Sequence, residues 1–332
     1  MQLNKFAGYA LIVFSYVGGW IWMDYESTLE NPAVFEKAVT FEIGKGDSLS
    51  KITEKLVAQN VHIKPFWFKL IAKKNGDNKK IKSGEYEIAP NSTAPQILAL
   101  FVSGKVKQHA ITFPEGWNFK QIRQELDKNP NVQHTLQNVS FEKIPTKLGI
   151  SQNHPEGLFF PDTYFFEKHT TDTAILKRAY GKMQLVLAEE WQNRAENLPL
   201  TTPYQALILA SIVEKETAAP FERAKISGVF TRRLQQNMML QTDPTVIYGM
   251  GDSYQGDIKT ADLQNPTPYN TYTFKGLPPT PIAMAGREAI HAALHPDSGE
   301  SIYFVSKGNG THVFSTNLEE HNTAVEMYQK HQ

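Results

Sequence analysis

Residues Thr202–Thr217 read TPYQALILASIVEKET, and this stretch decides how the chain is built. Thr202 stands before Pro203, and Gln205 follows three residues after Thr202. That is a capping-box pattern with proline at the first helical position, so a helix is expected to start there. From Ala206 to Val213 the one polar residue is Ser211. A helix apolar on all faces belongs inside a domain core. It ends in Glu214-Lys215-Glu216, ahead of Pro220, which stops it. At 100° per residue the two glutamates leave the helix about 160° apart, so they cannot share one proton as a dyad. Glu216 projects over Val213 and Leu209, and Glu214 over Ser211, Ala210 and Leu207.

A carboxylate at the end of a buried helix is costly unless paired, solvated in a cleft or protonated. Desolvation raises its pKa and makes a proton donor near neutrality, which protonation of a glycosidic oxygen requires. From the residues alone, the same helix end is more readily read as reaching solvent, with both glutamates in salt bridges to Lys215, Arg223 or Lys225. Periodicity leaves open which glutamate faces a site.

Outward from this helix, three stretches echo one another. They are FEIGKGDSLSKITEKL (residues 41–56), YEIAPNSTAPQILALF (86–101) and ITFPEGWNFKQIRQEL (111–126). Ile43, Ile88 and Phe113 align without gaps, as do Leu49, Ala94 and Phe119. Ile52, Ile97 and Ile122 follow, then Leu56, Phe101 and Leu126. Each stretch alternates like a strand and then takes amphipathic-helix spacing, with Gly, Pro or Asn at the turn. Asp47, Ser48, Asn91, Thr93 and Asn118 are the expected caps. The first unit has a G-D-S-L-x-x-I-x-x-x-L pattern that resembles a LysM module, a small glycan-binding fold; a βα unit without a ligand fits it as well. Lys73, Lys74, Lys79, Lys80 and Lys82 around Asn75-Gly76 read as a solvated loop. Residues 127–150 are polar and unpatterned, and Ala174–Trp191 has helical spacing.

The chain has 332 residues, 34 basic and 34 acidic side chains, and no cysteine. Balanced charge argues against a nucleic-acid partner. Without cysteine there are no disulfides, thiolate nucleophiles or cysteine-ligated zinc. His291 and His295 sit at i, i+4, but Ala292 stands where a zinc-protease motif needs glutamate, so no metal is expected. His295, before Pro296, reads instead as a helix C-terminal residue. From Phe6 to Met23 no residue is charged, with Tyr16, Trp20 and Trp22 toward the far end. This is an expected membrane anchor of 18 residues, with Lys5 on the cytoplasmic side and Asp24, Glu26 and Glu30 outside. A cleaved signal peptide is the rival, though no small-residue cleavage site closes the run.

A polar-aromatic block follows the buried helix: Gln241–Gly249, Pro268–Tyr272, Gly276–Pro279, Thr311–Asn317 and His321-Asn322. Such loops hold sites. Amides and carboxylates bond sugar hydroxyls, and aromatic faces pack on sugar rings. The candidate substrate contacts are Glu214, Gln241, Asp243, Tyr248, Asn270, Tyr272 and Asn317. Asn270, Asn317 and Asp243 are also readable as turn and helix caps.

Several motifs together carry a resemblance: EGLFFPDTY (156–164), ASIVEKET (210–217), LQTDPTVIYGMG (240–251), PTPYNTY (266–272), GLPPTPIA (276–283) and FSTNLEEHN (314–322). In these the chain resembles the MltG, or YceG-like, endolytic murein transglycosylases. The resemblance implies an α+β fold with five parts: a cytoplasmic N-terminus (1–5), a transmembrane anchor (6–23), a linker (24–38), a LysM-like domain (39–108) and a catalytic domain (109–332). It implies a lyase that cuts between N-acetylmuramic acid and N-acetylglucosamine in nascent strands and leaves a 1,6-anhydro end, limiting strand elongation. Glu216, the second glutamate of E-K-E-T, is then the catalytic one, acting as acid and then base. No cofactor is implied. The implied place is the inner membrane, single-pass, with the catalytic domain in the periplasm, beside peptidoglycan strands and peptidoglycan synthases. A hydrolase using Asp243 to activate water, and a non-catalytic peptidoglycan-binding scaffold, are the alternatives.

Overall fold

The computed structural model describes residues 2–34, 36–217 and 219–329, with side chains described between residues 6 and 328. Its elements run α1 (Gln2–Glu30), β1 (Val39–Ile43), α2 (Leu49–Ala58), α3 (Pro65–Lys74), β2 (Gly84–Ile88), α4 (Ala94–Ser103), β3 (Gln108–Thr112) and α5 (Phe119–Lys128). Then come β4 (Val132–Gln133), α6 (Ile144–Leu148), β5 (Thr163–Glu167), β6 (Thr170–Thr171), α7 (Asp172–Gln192), α8 (Pro203–Glu216) and α9 (Arg223–Gln235). The chain closes with α10 (Asp243–Met250), α11 (Thr260–Gln264), α12 (Arg287–Leu294), β7 (Tyr303–Ser306), β8 (His312–Ser315) and α13 (Leu318–Gln329). The fold is mixed α+β, with strands paired two by two: β1–β2, β3–β5, β4–β6 and β7–β8. The chain divides into two compact units. One holds the described residues up to His109 with Phe166–Lys168, and the other holds Ala110–Phe165 and the described residues from His169 onward.

The three echoing stretches are the three strand–turn–helix units β1–α2, β2–α4 and β3–α5. Within each unit the aligned positions turn inward: Ile43, Ile88, Phe113, Ala94, Phe119, Ile52, Ile97, Ile122, Leu56, Phe101 and Leu126 are buried, and Leu49 is partly so. The caps are local, which is why sequence spacing finds them. Ser48 Oγ accepts from the Lys51 N–H, and both Thr93 with Gln96 and Asn118 with Gln121 form capping boxes. At α8 the box is half made. Thr202 Oγ1 accepts from Gln205 N–H at 3.2 Å, but Gln205 Oε1 accepts from Thr201 N–H at 2.7 Å.

In the first unit, β1 and β2 pair antiparallel from Val39↔Ile88 to Ile43↔Gly84. Phe41 stacks on Phe101 at 5.5 Å, and the Tyr86 hydroxyl donates to the Lys82 carbonyl at 2.8 Å. Helix α1 is long and apolar enough to cross a membrane from Phe6, and that apolar window is not buried in the protein. Residues 24–30, read from sequence as the start of a polar linker, continue α1 instead. The reason is packing: Thr28 is buried, and Tyr25 and Leu29 rest on the first unit's core, as do Ala33 and Val34 beyond the helix.

In the second unit, α8 is the central helix and packs against α7, α9, α10 and α12. Every residue from Ala206 to Val213 is buried. Ser211, the polar exception, donates to the Ile208 carbonyl at 2.7 Å and accepts from Ile282 N–H at 3.0 Å. The apolar stretch therefore forms a core helix because neighbours cover all its faces.

Asn118 supplies two groups of the α5 capping box, so Asn118→Ala is expected to lower the unfolding free energy by about 1 kcal/mol. Urea denaturation of the two proteins checks this; an unchanged midpoint would mean that the cap adds nothing to α5.

Candidate active site

Because α8 is held on all sides, its last turn fixes where each acidic side chain leaves. Glu214 turns toward α12: its Oε2 accepts from Gly286 N–H at 3.0 Å, and its Oε1 lies 3.7 Å from Arg223. Gly286 is the N-cap of α12, so this carboxylate serves a helix N-terminus. Burial still raises the Glu214 pKa, with the Gly286 bond pulling the other way. Glu216 leaves on another side and accepts a hydrogen bond from the Thr242 hydroxyl. The divergence expected from helical geometry is what separates the two partner sets.

Glu216 lies on the wall of a cleft of about 500 Å³ with Arg233, Gln241, Asp243, Tyr272, Tyr303, His312, His321 and Asn322. Burial pushes the Glu216 carboxyl up to about 7; the Thr242 hydroxyl opposes this, and the Asp243 charge adds to it. Beside it, the Tyr272 hydroxyl donates to Asp243 Oδ1 at 2.6 Å. Gln241 is held with φ of 50°, in the left-handed region, and its N–H donates to the Thr271 carbonyl. Arg233 is pinned by the Ile302 and Leu240 carbonyls, both at 2.7 Å, with Tyr303 over its guanidinium at 5.1 Å. His321 stacks on the other partner of that pair, Tyr303, at 5.0 Å.

Of the residues singled out in the sequence, the cleft brings together Glu216, Gln241, Asp243 and Tyr272. The others lie elsewhere. Asn270 is buried, and its amide N–H donates to the carbonyls of Asp262, Leu263 and Asn265 while its Oδ1 accepts from Tyr272 N–H. It organises the loop that carries Tyr272. Asn317 Oδ1 accepts from Glu320 N–H at the start of α13. Tyr248 lines a second cavity, of about 770 Å³, and donates to Glu156 Oε2 at 3.0 Å. Arg233 was not singled out in the sequence, and Thr242 lay within a quoted motif without being assigned a role; the contacts that define them, to Ile302 and to Glu216, are 69 and 26 residues away.

Glu156 also carries a carboxyl raised to about 7 by burial. Its surroundings differ from those of Glu216. Both its oxygens accept from Phe119 N–H, at 3.0 and 3.1 Å, which places it on the N-terminus of α5. With Tyr248 it is fully partnered, and Glu156 is 3 % exposed. Gly157 follows at φ +75, where an added Cβ would lie 2.3 Å from Pro281 Cβ, so this turn demands glycine. Glu156 also lines the cavity of about 770 Å³, but it is buried and its oxygens are taken up in clamping α5 to α10, whereas Glu216 is partly exposed on its cleft.

His291 and His295 meet a third group, Glu190 of α7, with ligand atoms within 4.8 Å of one another. All three have protein partners. Glu190 bonds Arg287 and His291, and the His295 ring nitrogens face the carbonyls of His291 and Asn193. The contact to the His291 carbonyl is the helix-terminal role read from sequence.

With this geometry in view, the relatives fall into place. The model of the YceG-like family matches residues 41–327. The chain belongs to the YceG-like family. The endolytic murein transglycosylase of Bacillus subtilis is 31% identical over 309 residues, which is 87% of this chain and 84% of the relative. That of Streptococcus pneumoniae is 26% identical over 93% of this chain, and the match spans 62% of that longer protein. The crystal structure of a yceG-like protein of Listeria monocytogenes matches with a TM-score of 0.55 and 29% identity, over 86% of this chain and 98% of the other.

Removing the buried Glu156 carboxylate leaves the Phe119 N–H and the Tyr248 hydroxyl without their acceptor. Glu156→Ala is therefore expected to cost about 2–4 kcal/mol of stability. Denaturant unfolding of the purified variant checks this; a loss below about 0.5 kcal/mol would contradict the clamp.

Proposed function

We propose that this chain is an endolytic peptidoglycan lytic transglycosylase that cuts the bond between N-acetylmuramic acid and N-acetylglucosamine in nascent strands. The single observation that carries the reading is Glu216: a carboxyl raised to about 7, on the wall of an open cleft. Membership in the YceG-like family and the names of the relatives support it.

In this reading protonated Glu216 gives its proton to the glycosidic oxygen. The C1–O bond breaks, its electron pair stays with the leaving oxygen, and an oxocarbenium-like centre forms at C1. The muramoyl C6 hydroxyl attacks C1 and returns its proton to the Glu216 carboxylate. The acid is regenerated and no water is consumed, so a second catalytic carboxylate is not needed. Asp243, held by Tyr272, lends negative charge to the cationic centre, and Gln241 and Tyr272 orient the sugars. Arg233, which the sequence did not single out, keeps the wall rigid through its carbonyl bonds. Glu214 supports α12 and stays out of the chemistry. Helix α1 anchors the chain in the inner membrane with the N-terminus in the cytoplasm, so that the catalytic unit works in the periplasm beside peptidoglycan synthases. The LysM-like reading of residues 39–108 makes that unit a second glycan contact.

The sign of the pH dependence follows from the acid role. A carboxyl raised to about 7 is protonated below that value and loses the proton above it. Cleavage at low substrate is expected to fall about tenfold per pH unit above pH 7. Glu216→Gln keeps the shape and removes the proton, so it is expected to abolish turnover in a folded protein. Glu214→Gln is expected to retain measurable turnover and the same alkaline limb. Rates on uncross-linked strands across pH check all three, and full activity of folded Glu216→Gln would refute the assignment.

A further inference from the structure

Helix α3 (PFWFKLIAKK) has two apolar faces. The inner one, Phe68, Ile71 and Ala72, is buried in the first unit's core. The outer one carries Phe66 and Leu70, four residues apart and so on one side of the helix; they are 68% and 42% exposed. Lys73 and Lys74 follow in the last turn, exposed to solvent. A βα unit gains nothing by showing a phenylalanine and a leucine to water, and such a patch marks an interaction surface.

What covers it follows from what it joins. Phe66, Trp67 and Leu70 line one trough of about 710 Å³ with Trp20 and Ile21 of α1. Trp20, Ile21, Trp22 and Met23 are exposed and end the uncharged run. Helix α3 is also fixed to α1 at that level. Asp24 Oδ1 takes the Lys64 ammonium at 2.5 Å, Asp24 Oδ2 accepts from Trp67 Nε1–H at 2.6 Å, and the Tyr25 and Trp67 rings lie 5.2 Å apart. Lys74 sits over the Tyr25 ring at 5.8 Å. An uncharged run of 18 residues is about 27 Å long as a helix, close to the roughly 30 Å hydrocarbon core. Residues 20–24 then stand at the headgroup level, where tryptophan and tyrosine collect. The outer face of α3 continues that same surface.

We propose that α3 lies on the bilayer, with Phe66 and Leu70 sunk into the headgroup–acyl boundary and the lysines of its last turn on anionic lipid headgroups. Apolar side chains facing the acyl boundary with lysines at the headgroups are what an interfacial helix needs. Lys73 and Lys74, read from sequence as part of a solvated loop, lie in the last turn of α3 and gain a partner in the headgroups. The proposal rests on α1 being a membrane span. Its consequence is that the first unit is held against the membrane by a second contact besides the anchor.

The cysteine-free chain allows a direct test. Single cysteines are placed in the full chain by Phe66→Cys, Leu70→Cys, Val57→Cys and Ile12→Cys, and each carries a nitroxide. The proteins are reconstituted in vesicles of phosphatidylcholine and phosphatidylglycerol. Collision with oxygen, which concentrates in lipid, is compared with collision with a water-soluble nickel chelate. The labels at 66 and 70 are expected to favour oxygen several-fold, as the label at 12 does, and the label at 57, on the exposed side of α2, to favour nickel. Labels at 66 and 70 that favour nickel while the label at 12 favours oxygen would overturn the proposal and leave the anchor standing; the face would then await a protein partner. A label at 12 that favours nickel would overturn both.

Discussion

Helix α8 is packed on every face, and this constraint sets the site. A helix with one free side can rotate or fray, so its terminal side chains have a choice of direction. Here α7, α9, α10 and α12 surround it, and the two glutamates of its last turn have fixed exits. One meets the N-terminus of α12 and the other meets Thr242 on the cleft wall. The packing that holds the helix also removes water from its end, and lost hydration is the largest cause of the raised Glu216 carboxyl. Position and proton affinity thus have one origin.

Among the described residues of the second unit three carboxyls are raised, and burial alone does not distinguish them. Glu156 and Glu214 both face N–H groups at helix N-termini. Those contacts favour the ionised form and leave little room for a reacting group. Glu216 has a single hydroxyl donor among its described partners and opens on a cleft containing an amide, a carboxylate and a tyrosine that can bond sugar hydroxyls. A general acid needs a proton at working pH together with access to a substrate oxygen.

Much of the fold was legible because it is locally encoded. The inner positions of the three strand–turn–helix units recur at strand and then helix spacing, and their caps lie within three residues of their partners. The divergence of Glu214 from Glu216 was legible for the same reason, since a helix turns by a fixed angle. What periodicity could not give was the identity of the facing groups. Thr242 meets Glu216 from 26 residues away, and Arg233 is held on the cleft wall partly by Ile302, 69 residues on. Asn270 shows the opposite failure: an amide among aromatic residues resembles a sugar ligand, yet it satisfies three loop carbonyls. Loop backbone that leaves water must find partners, and a side-chain amide supplies them cheaply. The partner of Tyr248 was illegible for the same reason as those of Thr242 and Arg233, since Glu156 comes from a distant turn. Residues 24–30 looked like a connector because charges begin there, although the helix continues with one face against the first unit's core.

The central claim is that Glu216 cuts glycan strands with an internal hydroxyl in place of water. The most direct measurement is mass spectrometry of the new strand ends after uncross-linked peptidoglycan strands are incubated with the wild type and with Glu216→Gln. The account predicts anhydro ends, one water lighter than reducing ends, from the wild type and none from the variant. Reducing ends would contradict it, and would make the protein a hydrolase in which Asp243 is the candidate base for the attacking water.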